Sequence, residues 1–309
     1  MNVFQAVVLG IIQGLTEFLP VSSSGHLLLG SIVLGFPVPG LSLSLLLHLG
    51  TAFATVVMLW EEIAHLARGI FTPGSREERL RAVTLVGFIA AASVPGAAVG
   101  LTLGDFLDTA FGSGGVAALG LVITGFILML TERAGFTGFP GAPGKPPRAG
   151  GSETAVAADR GVRRRTPRKG LKERPEGDGE ILSTVNLRRA LLVGLFQAVA
   201  VIPGISRSGA TIASGILSGM EREDAARFSF LLALPAILGG ALLDFREALS
   251  VGEQVLSFSG LLGATVAFAT GVVALSVVFR TVRKGSLRKF AYYCFAAGAI
   301  SLIYLMARP

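Results

Sequence analysis

Residues 9–27, LGIIQGLTEFLPVSSSGHL, place a carboxylate, three consecutive hydroxyls and an imidazole inside an otherwise apolar N-terminal region. The pattern returns 184 residues later as VGLFQAVAVIPGISRSGAT, residues 193–211. Aligned, Gly10 meets Gly194, Gln13 meets Gln197, Ser22 meets Ser206, Ser24 meets Ser208 and Gly25 meets Gly209. Each copy consists of two short apolar segments, 1–19 with 22–36 and 187–202 with 206–218, broken by a polar turn that contains proline. That is the pattern of a re-entrant helical hairpin. Such a break is tolerated at membrane depth only where it is buried in protein or lines a cavity.

Six further apolar segments lie at 43–60, 82–103, 113–131, 225–243, 258–279 and 289–306. Each is long enough, or nearly so, for the roughly 20 helical residues that cross a bilayer. Composition agrees: 51% of the 309 residues are hydrophobic and 15% charged, against about 25% charged in a soluble domain. The expectation is an all-α integral membrane protein. Each half is a re-entrant helical hairpin plus three transmembrane helices, and the odd number of spans turns the second half upside down. Inverted repeats with broken helices place their site near the midplane, where the repeats meet. The first repeat is expected over 1–133, with its hairpin at 1–36, and the second over 187–309, with its hairpin at 187–218. The N-terminus lacks a basic n-region, and Gln13 and Glu17 interrupt its apolar run, so it is read as mature chain rather than signal peptide. The single cysteine, Cys294, excludes a disulfide within the chain and is expected as a small packing residue.

The layout puts segments 61–81, 132–189, 219–227 and 280–289 on one side, with 24 of the 27 Lys and Arg residues; the other side holds Arg246 and Arg308. The basic side is therefore expected to be cytoplasmic. Residues 134–186 form a basic linker rich in Gly, Pro and Arg and are expected to be disordered. The net charge of +7 is explained by this topology. Nucleic acid is not an expected partner, since only Phe136 and Phe139 accompany the charge of the linker.

Gln13 and Glu17 share one helix face at i, i+4. A carboxylate near a helix C-terminus opposes the dipole, and membrane burial adds to the cost. Glu17 thus calls for a cationic partner: Arg207, a metal ion or a proton. Ser22 and Ser23 suit an N-cap after Pro20, and a cap alone would account for them. The second copy repeats the arrangement, with Ser206 and Ser208 around Arg207 and Thr211 a turn later. Two hydroxyl-rich helix starts and an arginine form a site for phosphate. His26, four residues after Ser22 and three after Ser23, can face the same cavity as a nucleophile or a general acid/base. His48 stays open between packing and function, and His65 is expected on the cytoplasmic surface.

QGLTEFLPVSSSGH and PGISRSGAT together resemble the two signatures of the bacterial undecaprenyl-diphosphate phosphatase family of the BacA/UppP type, and the similarity covers nearly the whole chain. The resemblance implies a multi-pass enzyme of the inner membrane. It would remove the terminal phosphate of a C55 polyprenyl diphosphate and return the monophosphate carrier to cell-wall synthesis. It further implies dependence on a divalent cation, Mg2+ or Ca2+, and an active site facing the periplasm. Carried over, Glu17, Ser23, His26 and Arg207 are the catalytic positions. Ser22, Ser24, Ser206, Ser208 and Thr211 would bind the substrate phosphates, and Glu17 with Gln13 would serve the metal. Either Ser23 or His26 attacks phosphorus, or one of them activates a water, and the sequence leaves the choice open. The linker is longer than the central loop usual in the family and has no assigned role.

The expected partners are the polyprenyl diphosphate lipid and the surrounding membrane lipids; a homodimer stays open. The rival class is a secondary transporter or flippase for an anionic lipid. It shares the repeats, the broken helices and the arginine, but needs no nucleophile with its base.

Overall fold

The computed structural model describes residues 1–72, 74–134 and 182–307, and these form helices and connecting loops. Of the expected linker, residues 135–181 lie outside the described residues. Its last residues, 182–186, pack onto the second half: Leu182 is buried, and Thr184 donates from its backbone nitrogen and its hydroxyl to Asp224.

All six expected spans are present as helices long and apolar enough to cross a membrane. They are α3 (Leu41–Met58), α5 (Arg76–Thr102), α7 (Gly114–Ala134), α10 (Arg222–Ser250), α11 (Phe258–Lys284) and α12 (Arg288–Ala307). The chain is thus an all-α integral membrane protein. Two helices were not anticipated: α4 (Trp60–Phe71), inside the expected basic-side loop, and α6 (Gly104–Phe111). Helix α4, at 12 residues, is too short to cross a bilayer. It turns Glu62 and Leu66 inward and leaves Glu61, His65 and Arg68 exposed, which is a period of 3.6.

The broken segments form two pairs of short helices, α1 (Val3–Phe18) with α2 (Ser23–Leu34) and α8 (Leu187–Val199) with α9 (Arg207–Leu217). At 16, 12, 13 and 11 residues, none of the four crosses a bilayer alone. Helix α1 starts at a capping box between Asn2 and Gln5. It stops at Phe18 because Pro20 disfavours helical backbone at the residue before it and carries no N–H. Helix α2 ends at Gly35, whose φ of +66° is the left-handed conformation that glycine adopts without strain.

Helix α1 packs on α11, and α8 packs on α5. A Cβ on Gly10 would lie 2.5 Å from the Gly263 carbonyl oxygen, and one on Gly194 would strike the Ala92 carbonyl. The two aligned glycines of the sequence repeat thus do the same job, letting a short helix lie backbone-close on a long one. Helix α3 packs against α10 and α11, and α7 against α12. Phe18 of α1 meets Phe230 of α10 edge-on at 5.8 Å, so the largest buried cluster joins the two halves. Between α4, α10 and α11, Arg227 pairs with the buried Glu62 and, at 2.8 Å, with Glu223, which also takes Arg283 at 3.0 Å.

Candidate active site

The two helix breaks touch. The backbone nitrogen of Gly204 donates to the Ser24 hydroxyl at 3.4 Å, and the Ser208 hydroxyl donates to the Leu19 carbonyl at 3.2 Å. Gly25 faces Gly204, and Gly209 faces Pro20. Pro20 and Gly204 are themselves aligned positions of the repeat, so each break presents the same positions to the other.

Each second helix begins at a serine cap. The Ser22 hydroxyl accepts from the Gly25 nitrogen at 3.4 Å, and the Ser206 hydroxyl accepts from the Gly209 nitrogen at 3.0 Å. Ser22 holds φ at +71°, outside the region comfortable for a side-chain-bearing residue. Strain of this kind concentrates at functional sites.

Glu17 is the centre of the cluster. Its side chain is 4% exposed, and the Arg207 guanidinium is paired with its Oε1. Its Oε2 accepts from the Ser23 hydroxyl at 2.5 Å and from the Gln13 amide nitrogen at 3.1 Å. Of the three partners left open for Glu17, the fold supplies Arg207, from 190 residues away. The pairing joins the end of α1 to the start of α9. Ser23 and Arg207 are aligned residues of the repeat, and both reach the same carboxylate.

His26 does not bond to Ser23. Its Nδ1 lies 2.7 Å from the Ser22 carbonyl oxygen, an acceptor only, so Nδ1 carries the proton. Its Nε2 then accepts from the Tyr293 hydroxyl, also at 2.7 Å. Ser23 meets Glu17 instead, because the first turn of α2 aims its hydroxyl back at α1. Tyr293 was missed. A tyrosine near the end of a span normally reads as an interface anchor, and nothing local ties it to His26.

The other expected phosphate ligands are more committed. Thr211 donates to the Arg207 carbonyl at 2.8 Å and pairs with Ser229 at 2.5 Å. Ser206 and Thr211 are each 1% exposed, whereas Ser23, Ser24 and His26 are half-buried. His48 donates from Nδ1 to the Ser44 carbonyl at 2.9 Å.

The fit to a divalent cation rests on Gln13. This residue is fully buried, and its Oε1 has no hydrogen-bond partner while its amide nitrogen serves Glu17. An orphaned buried carbonyl oxygen beside a carboxylate is a donor set suited to Mg2+ or Ca2+. Among the described residues, no group of three or more His, Cys, Asp or Glu could hold a metal. An ion here would draw the rest of its shell from substrate oxygens and water, as Mg2+ commonly does.

Fold and site together define a polytopic helical membrane protein with a charged, hydroxyl-rich site enclosed by two broken helix pairs. The chain belongs to the BacA family, whose model, described as bacitracin resistance protein BacA, matches residues 6–300. It is similar to proteins named undecaprenyl-diphosphatase. The one from Desulforapulum autotrophicum is 37% identical, with 98% of each chain covered. The one from Halothermothrix orenii is 34% identical over 98% of each chain, and that from Rubrobacter xylanophilus 36% over 99% of each.

Proposed function

We propose that this chain is an undecaprenyl-diphosphate phosphatase. It hydrolyses the phosphoanhydride bond of a C55 polyprenyl diphosphate: water enters, the bridging P–O bond breaks, and inorganic phosphate and the lipid monophosphate leave. The monophosphate carrier then returns to cell-wall synthesis. The observation that carries this reading is Ser23 bonded at 2.5 Å to Glu17 while Arg207 holds the other carboxylate oxygen. The full-length similarity to proteins named undecaprenyl-diphosphatase supports it.

The mechanism is chiefly positioning and charge neutralisation, as in phosphoryl transfer generally. Arg207 presents a fork of donors that matches phosphate oxygens. The starts of α2 and α9 add backbone N–H groups and the positive ends of their dipoles. Ser23 is the attacking group, with its proton directed at Glu17. His26, neutral and protonated at Nδ1, offers the Nε2 lone pair to the water that completes hydrolysis. Gln13 and Glu17 would hold the divalent cation, which when bound supplies positive charge against the diphosphate. A second reading, attack by His26 Nε2, is favoured by the anchoring of Nδ1 on Ser22. A phosphoserine and a phosphohistidine intermediate are told apart by acid stability after trapping.

The halves are arranged as inverted repeats with re-entrant hairpins at 1–36 and 187–218. This is supported by α1 lying on α11 as α8 lies on α5, and by the matched serine caps. The protein sits in the plasma (inner) membrane with the site open to the outer, periplasmic side, as the asymmetry of Lys and Arg supports. A lipid carrier would use Arg207 and the helix starts, but it has no need of a serine bonded to a carboxylate.

The test is phosphate release from C55 diphosphate by the purified protein in detergent, with and without EDTA. Release in wild type that stops with chelator and in His26→Ala and Arg207→Ala is expected. No release from folded wild type with metal present sinks the enzyme reading, and translocation of the lipid in liposomes is then the assay that matters.

A further inference from the structure

The reading of the site leaves one strong contact without a role. Tyr293 comes from α12, 267 residues from His26, and places its hydroxyl 2.7 Å from Nε2. The two rings lie nearly parallel, 11° between planes and 5.6 Å between centroids, so the hydroxyl approaches the imidazole edge. His26 is thus held at two points: Nδ1 on the Ser22 carbonyl and Nε2 on the tyrosine hydroxyl. The next residue, Cys294, donates to the Pro20 carbonyl at 3.6 Å, so the same turn of α12 also grips the break between α1 and α2.

An interface anchor would explain a tyrosine near the end of a span, with its hydroxyl turned to water. Its neighbour Tyr292, 56% exposed, fits that role. Tyr293 does not, because its hydroxyl is bonded to a ring nitrogen of the site. The chemistry also has a direction. The Ser22 carbonyl can only accept, so Nδ1 is the protonated nitrogen, and the tyrosine must donate to the Nε2 lone pair. That lone pair is what a nucleophile or a general base requires.

We infer that Tyr293 is a positioning residue for His26: between turnovers its hydroxyl occupies the Nε2 lone pair and so holds the imidazole in place, and it yields Nε2 when the reacting group arrives. This rests on the phosphatase reading of the site. The last span thereby completes a site whose other groups all come from the two broken helix pairs.

Two measurements on Tyr293→Phe test it, with Tyr292→Phe as the neighbouring control. The phenyl ring keeps the packing of the side chain and removes only the donor. The first is carbethoxylation of the neutral imidazole by diethyl pyrocarbonate, followed residue by residue by mass spectrometry in the detergent-purified protein. His26 is expected to react about fivefold faster in Tyr293→Phe, since one hydrogen bond no longer covers Nε2, while the exposed His65 reacts at its wild-type rate. The second is steady-state hydrolysis of C55 diphosphate. Here kcat is expected to fall by about tenfold, with KM within about twofold. Unchanged carbethoxylation of His26 overturns the inference whatever the turnover. So does faster carbethoxylation with wild-type kcat, because the hydroxyl would then cover the nitrogen without positioning it. If wild type itself releases no phosphate, the phosphatase reading falls instead, and the carbethoxylation rates still decide whether Tyr293 holds Nε2.

Discussion

Ser23 and Arg207 hold opposite oxygens of one buried carboxylate: the hydroxyl lies 2.5 Å from Oε2 of Glu17, and the guanidinium is paired with Oε1. The arginine lets Glu17 stay ionised where a lone carboxylate would be costly. The serine draws its orientation from that charge. Stability and chemistry therefore share one side chain and separate under substitution.

Arg207→Ala leaves Glu17 buried without its counter-charge. Losing one partner of a buried pair costs about 3–5 kcal/mol. A large drop in melting temperature in detergent is expected, together with loss of phosphate release. Adding Glu17→Gln to Arg207→Ala should recover much of the melting temperature and none of the activity. Equal melting temperatures for the single and double variants would contradict the pairing.

Ser23→Ala removes the hydroxyl proposed to attack phosphorus but little packing, since Ser23 is half-buried. Turnover is expected to fall by at least about 100-fold, with the melting temperature near that of wild type. Quenched reactions of wild type should trap phosphate on Ser23 in an acid-stable form. Trapping on His26 would exchange the roles of the two residues.

Gln13 bears on the proposed divalent cation. Gln13→Glu places a second carboxylate beside Glu17, so the Mg2+ concentration for half-maximal phosphate release is expected to fall. Gln13→Leu removes the orphaned oxygen and should raise it. A metal titration of both variants decides, and identical curves would remove Gln13 from the metal site.

Ser22 combines a cap with a strained backbone. Ser22→Gly loses the cap and relieves φ at +71°, so a loss within about 1 kcal/mol is expected. Ser22→Ala loses the cap and keeps the strain, and should be the less stable of the two in thermal unfolding.

Gly10 and Gly194 test the packing of the short helices. Either one replaced by Leu drives a side chain into a facing carbonyl and is expected to cost about 1–3 kcal/mol or more, as overpacking does. Helices α1 and α8 should become sensitive to protease. Surface glycines such as Gly239, with nothing within 4 Å of an added Cβ, should tolerate Ala far better.

The six spans and the two broken helix pairs were legible in the sequence, and so was the cluster of polar groups at the breaks, but Tyr293 was not. The spans follow from runs of apolar residues that cannot be left in water, and the breaks from Pro20 and Pro203 with the serine caps beside them. Helix α4 was not legible as a helix, because its charge masks a periodicity that only burial of Glu62 and Leu66 makes plain. The sequence by itself thus determined the class of protein, its six spans and its two broken helix pairs, since local composition and spacing dictate helices and their ends. The tertiary structure alone decided which groups meet. Glu17 takes Arg207 from 190 residues away, Ser23 turns to Glu17 rather than His26, and His26 takes Tyr293 from 267 residues away. In an apolar surrounding every polar group needs a partner. Which partner it gets depends on how the helices pack, and here that packing rests on glycines whose neighbours lie across the repeat.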